Sequence, residues 1–178
     1  MNAVDVRAEV VASVLSPRFS SLEVAKKTGV SLRQLQWWDE QGVVTPVQHG
    51  RRRLYSPGEV LMVGIIVSLR RKRLSLQKIR RIFGDLDGND ALDRLLIAHD
   101  RSEVYLLTDG MRVVLESSPE AIVDVLKRAE KPLLAVCVSD VIKALGLESF
   151  GSRRKPVHTE TALAGSKNGR GTTAIRAS

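Results

Sequence analysis

Four serine-led spacings dictate where helices can begin in this chain. Ser20 is followed three residues on by Glu23, Ser31 by Gln34, and Ser56 by Glu59 with Pro57 in between. At that spacing a serine hydroxyl caps the third helical N–H while the Glu or Gln side chain reaches back, and proline suits the first helical position. Ser75 ahead of Leu76, Ile79 and Ile82 marks a fourth start, with Arg73 and Leu74 closing the helix opened at Pro57. The first two helices must be short. Thr28, Gly29 and Val30 separate them, and Leu22, Ala25, Val30, Leu35 and Trp38 are spaced to form a shared apolar seam. This is the spacing of a helix-turn-helix, with Gly29 supplying the tight turn. Two such helices bury little alone, so the third, carrying Val60, Val63, Ile66, Val67 and Leu69, is expected to close a trihelical core.

Between the second and third helices, Val43 to Tyr55 reads as two short strands around a glycine-containing turn, which is a wing. Arg51, Arg52 and Arg53 at its tip repel one another unless an anion lies opposite, and a phosphate backbone satisfies all three. A merely solvated charge cluster is the alternative; the neighbouring candidate recognition helix favours phosphate.

The charge distribution supports that direction. The chain has 178 residues and a net charge of +8. From Pro17 to Phe83, fourteen Lys and Arg stand against four acidic residues (+10), whereas from Gly84 to Phe150 seven stand against thirteen (−6). The first sixteen residues carry −1 and the segment from Gly151 onward +5. A basic segment of this kind is the electrostatic footprint of nucleic-acid binding, although anionic lipid or an acidic protein would also answer to charge alone. The longest apolar run, Val60 to Leu69, is interrupted by Gly64 and Ser68, far short of the roughly 20 residues a membrane span needs. Asp5, Arg7 and Glu9 fall where a secretory signal would be apolar, so a cytoplasmic, nucleoid-associated protein is expected. Cys137 is the only cysteine, which excludes an intrachain disulfide and a thiolate-pair metal site, and His49, His99 and His158 have no partner at ligand spacing. No metal or cofactor is expected.

Over about Ser20 to Phe83 the residues resemble the MerR family of regulators. The matching string is Val24-Ala25, Thr28-Gly29-Val30-Ser31, Leu35, Trp37-Trp38-Asp39, Gly42-Val43-Val44, Pro46, Arg53, Tyr55-Ser56, Glu59-Val60, and Leu74-Ser75-Leu76 with Ile79. The resemblance implies a winged helix-turn-helix that binds operator DNA as a homodimer and distorts promoter DNA. Where the family carries a Thr-Leu-Arg-Tyr-Tyr-Glu run, this chain has Gln34, Leu35, Gln36, Trp37, Trp38 and Asp39. Glutamine can bond bidentately to adenine and arginine to guanine, so Arg33, Gln34 and Gln36 are expected to read a mixed site. The two indole rings point about 100° apart on a helix, so Trp38 is assigned to packing and Trp37 to the DNA-facing edge. Arg53 and Tyr55 match the family's Arg-x-Tyr, while Arg52 replaces a usual aromatic and Arg51 a usual glycine. The expected DNA-contacting set is therefore Ser31, Arg33, Gln34, Gln36, Trp37, Arg51, Arg52, Arg53 and Tyr55.

Members of that family continue into a long dimer helix, but Gly84, Asp85, Asp87, Gly88, Asn89 and Asp90 interrupt this pattern at once. Asp90 to His99 reads as a short helix. Val104 to Thr108 and Met111 to Leu115 read as two strands joined at Asp109-Gly110, Ser118-Pro119-Glu120 opens a helix to about Arg128, and Leu133 to Val138 reads as a buried strand before a short helix ending at Leu145. The fold class is α+β: an N-terminal extension (1–16), a mainly helical winged helix-turn-helix (17–83), a small acidic α+β module (84–150) and a disordered basic tail (151–178). The acidic module is expected to hold a small-molecule or protein effector or a dimer contact. The function expected is a sequence-specific transcriptional regulator. An architectural or accessory DNA binder, excisionase-like or an antitoxin with a protein partner, is the alternative. No nucleophile–base or carboxylate pair in a recognisable setting argues for an enzyme.

Overall fold

The computed structural model describes residues 18–84, 89–98 and 102–151. The expectations for residues 1–16, for the tail beyond Gly151 and for His99 and His158 lie outside them. The elements begin with strand β1 (Phe19–Ser20), helix α1 (Ser21–Thr28), helix α2 (Leu32–Glu40), strands β2 (Val47–His49) and β3 (Arg52–Tyr55), and helices α3 (Pro57–Arg71) and α4 (Leu76–Gly84). They continue with α5 (Asn89–Ala98), β4 (Tyr105–Thr108), β5 (Val113–Glu116), α6 (Pro119–Arg128), β6 (Leu134–Cys137), α7 (Val138–Leu145) and α8 (Glu148–Gly151). The result is a mixed helix and sheet fold with two small antiparallel sheets.

The caps act as local chemistry requires. The Glu23 N–H donates to Ser20 Oγ, and the Ser20 N–H donates back to the Glu23 carboxylate at 2.7 Å; Ser56 and Glu59 close the same box at the start of α3. Ser31 accepts from the Gln34 N–H at 3.2 Å, but the reciprocal half of that box is not formed. Gly29 ends α1 at φ +73°, donating its N–H to Ala25 O, a left-handed position that only glycine occupies freely. At the end of α3 the same left-handed role falls to Arg73 (φ +64°). The Leu74 N–H reaches Leu69 O and the Arg73 N–H reaches Arg70 O, the bonding pattern that closes a helix around such a residue.

Trp38 is 1% exposed and Leu35 is buried beside it, while Leu22 is 59% exposed. The expected place of Leu22 in the seam belongs to Val24. Val24 and Thr28, four residues apart, form the buried stripe of α1, and a residue two positions from Val24 points about 200° away from it.

The wing sheet has three strands in the order β1-β3-β2, not two. Phe19 pairs with Tyr55 and Ser20 with Leu54, while β2 and β3 pair around Gly50 and Arg51. The second sheet has the order β5-β4-β6, antiparallel throughout. Its hairpin turn is wider than the Asp109-Gly110 pair suggests. Thr108 pairs with Val113, so four residues form the loop, and Asp109 Oδ1 accepts from the Met111 and Arg112 N–H groups at 2.7 and 2.8 Å. Strand β6 is a half-buried edge strand, with Ala135 open to solvent, and β4 is its only neighbour strand among the described residues.

Helix α3 organises the molecule. Pro57 through Ile66 are all buried, because α1 and β3 pack on one side of the helix and α5, α7 and β6 on others. One buried apolar cluster runs from Phe19 through α3 to Leu147. At Gly64 helix α7 comes so close that a Cβ would stand 2.7 Å from Leu145 Cδ1 and Val141 Cγ1. Lys27 of α1 ties the other end of this contact: its ammonium donates to Leu145 O at 2.6 Å and lies 5.7 Å from the Phe19 ring centre. Phe19 in turn meets Phe150 edge to face at 5.6 Å.

Candidate nucleic-acid interface

Helix α2 is amphipathic by periodicity. Leu35 and Trp38 turn into the core, which leaves Arg33, Gln36 and Trp37 on the opposite face and Gln34 at its flank, all exposed. Trp37 is 47% exposed, so a ring as large as the buried Trp38 is displayed to solvent. Ser31 begins the helix and uses its hydroxyl to cap Gln34. Gln36 Nε2 donates to Glu40 Oε1 at 2.8 Å, which orients the amide and leaves its carbonyl oxygen as the open acceptor.

The wing carries Arg51 at its turn and Arg52 on β3, both exposed, with side chains that make no hydrogen bond or ion pair among the described residues. Arg53 differs. Its Nε donates to Asp39 Oδ2 at 2.6 Å, with side-chain exposures of 28% and 15%. That bond, which favours the protonated guanidinium, raises the Arg53 pKa above its ordinary value. The pair joins β3 to the last turn of α2, so the wing tip and the exposed helix face are held in one geometry.

Tyr55 is not at this surface. Its ring is fully buried, and its hydroxyl is buried without a hydrogen-bond partner among the described residues. Desolvation by burial pushes the phenol pKa up. The expected DNA contact of Tyr55 therefore gives way to a core position: alternation along β3 that exposes Arg52 turns Tyr55 inward against α1 and α3.

A second basic surface was not singled out by the motifs. Arg71, Lys72 and Arg73 at the α3–α4 corner and Lys78, Arg80 and Arg81 on α4 are all exposed. Their signal is the run of cations from Arg70 to Arg81, which the charge count contains but no motif marks. Arg73 holds a left-handed backbone that costs a non-glycine residue about 1 kcal/mol.

Among the described residues no group of three His, Cys, Asp or Glu side chains could hold a metal ion, and no helix is long and apolar enough to cross a membrane. Cys137 is half-buried, and desolvation raises its thiol pKa. Residues 19–86, well under half of the chain, match the family model described as MerR HTH family regulatory protein. The matched span carries the helix-turn-helix of a DNA-binding transcription regulator. No curated protein matches the chain.

Proposed function

We propose that the chain is a transcriptional regulator that reads operator DNA by sequence. In this reading, residues 17–83 are the DNA-binding unit. Helix α2 lies in the major groove, with Arg33 and Gln36 at base edges, Gln34 at the flank and the Trp37 indole N–H at a phosphate. Arg51 and Arg52 rest on the flanking backbone, and Ser31 contributes by starting the helix. A homodimer on a two-fold operator is the assembly that fits this class of reader, with residues 84–150 supplying an effector site or a dimer contact.

The observation that carries the reading is the Arg53–Asp39 bond. It holds the exposed face of α2 and the Arg51–Arg52 tip at a fixed offset. A reader needs that rigidity, since base contacts specify only when backbone contacts hold their register.

The test is a titration of the full chain against its own upstream DNA and against random DNA across a range of salt, beside an Arg33→Ala, Gln36→Ala double variant. Tight binding to the upstream fragment that the double variant loses, with random DNA weak, is the expected result. Equal and steeply salt-dependent binding to all DNA, indifferent to the two substitutions, overturns sequence reading and leaves the accessory or architectural alternative. The exposed Val123 and Leu126 of α6 favour that alternative as far as a protein partner is concerned.

A further inference from the structure

Beside the second sheet lies a cleft of about 610 Å³ that DNA reading does not use. Its apolar lining comes from Leu107 of β4, which is buried, and from Val114 of β5, Val125 of α6 and Leu133 just before β6, which are half-buried or exposed. Three cations, Arg112, Arg128 and Lys131, also line it, against the carboxylates of Asp109 and Glu130; the two guanidinium groups are exposed and make no hydrogen bond or ion pair among the described residues. Asp109 also borders the cleft, but Oδ1 of its carboxylate is engaged by the Met111 and Arg112 N–H groups of its own loop.

These features narrow the occupant. The volume is in the range of small-molecule sites, and the cleft is open to solvent with a lining that is part apolar and part charged. A purely apolar guest makes no use of the guanidiniums, and a bare inorganic anion covers none of the apolar side chains. Arginine forks match a carboxylate bidentately. We propose that this cleft binds an apolar carboxylate of medium chain length, its head at Arg112 and Arg128 and its tail over Leu107, Val114 and Val125.

The same loop that borders the cleft rests on α4. Arg81 Nη1 lies 3.0 Å from Met111 Sδ, and a Cβ at Gly110 would stand 3.0 Å from Lys78 Cδ. An occupant that shifts residues 109–112 therefore presses on two cations of the second basic surface. This consequence rests on the DNA-binding reading; the ligand site does not.

Isothermal titration of the full chain with octanoate, octan-1-ol and inorganic phosphate tests the site, beside the single variants Arg112→Ala and Arg128→Ala. Both arginines are exposed, and thermal unfolding confirms that each variant retains its fold. Saturable octanoate binding is expected, at least tenfold tighter than octan-1-ol or phosphate and at least tenfold weaker in each variant. Octan-1-ol or phosphate binding as tightly as octanoate, no saturable octanoate binding, or variants that bind like the parent chain each overturn the proposal. So does an outcome in which the variants lose affinity for DNA but not for octanoate, since the arginines then serve a phosphate backbone. Upstream DNA affinity is then measured with and without saturating octanoate. A change supports the link through Lys78 and Arg81, and no change in a chain that binds both overturns that link alone. A chain that binds octanoate and no DNA refutes the DNA reading and leaves the ligand site standing.

Discussion

Arg53 and Asp39 stand fourteen residues apart in the chain and 2.6 Å apart in the fold, bonding the wing to the last turn of helix α2. Replacing Asp39 by alanine leaves a partly buried guanidinium without its partner, which costs about 1–2 kcal/mol for a charge-assisted bond. The Asp39→Ala variant is expected to melt a few degrees lower, read by thermal unfolding. Its preference for upstream over random DNA is expected to fall further than its random affinity, read by fluorescence anisotropy. Equal losses on both DNAs would mean that the bond supports stability and not register.

Tyr55→Phe removes a hydroxyl that is buried without a partner among the described residues. Deleting an unsatisfied buried polar group is neutral or stabilising, by up to about 1 kcal/mol. Chemical denaturation is expected to show an unchanged or raised midpoint, and DNA affinity is expected to stay as it was. A tenfold loss of DNA affinity in a folded variant would return Tyr55 to the interface.

Gly64→Ala places a methyl 2.7 Å from Leu145 Cδ1 and Val141 Cγ1. Leu145 can swing its far end aside, but Val141 is branched at Cβ and stiff in a helix. Overpacking of this kind costs about 1–3 kcal/mol. The variant is expected to unfold at lower denaturant, and Val141→Ala in the same chain should recover most of the loss. No recovery would place the strain elsewhere.

Ser20→Ala opens the box at the start of α1, and a lost N-cap costs about 1 kcal/mol. The bond from Ser20 holds the Glu23 pKa below its ordinary value. A depressed folded pKa means that this contribution is complete above the unfolded value near 4.5 and drains away as pH falls through the lower folded value. The gap between the melting curves of the parent chain and the variant should therefore narrow from pH 7 down to about 3 without closing, since the bond from the Glu23 N–H to the Ser20 hydroxyl does not titrate. A gap that stays constant across that range would show that the carboxylate has no part in it.

What the sequence discloses and what it hides divide along one physical line. A cap is chemistry between residues three apart, so Ser20 with Glu23 and Ser56 with Glu59 mark their helices in any context. Helical periodicity separates Trp38 from Trp37 for the same reason. Strand β1 is different. Two residues carry no periodicity, and Phe19 and Ser20 become a strand only because Tyr55 and Leu54 are there to receive them. Leu22 has an apolar side chain without an apolar neighbour to cover it, which spacing alone does not reveal. The Arg53–Asp39 pair and the burial of Tyr55 depend on how the wing folds back on α2, information spread across elements that a window on the chain does not span. The cleft beside Arg112 and Arg128 is hidden most completely, since its residues come from two strands, a loop and a helix.

Every residue of helix α3 from Pro57 to Ile66 is buried. A helix without a solvent-facing row has no position at which change is private. Any substitution there is felt by the reading helices and by the elements after Asn89 together, so those two parts of the chain must diverge in step. Grafting residues 19–86 onto a different C-terminal partner would strip one flank of α3, and the graft would succeed only if the new partner supplied a matching row of side chains, including a neighbour willing to approach Gly64.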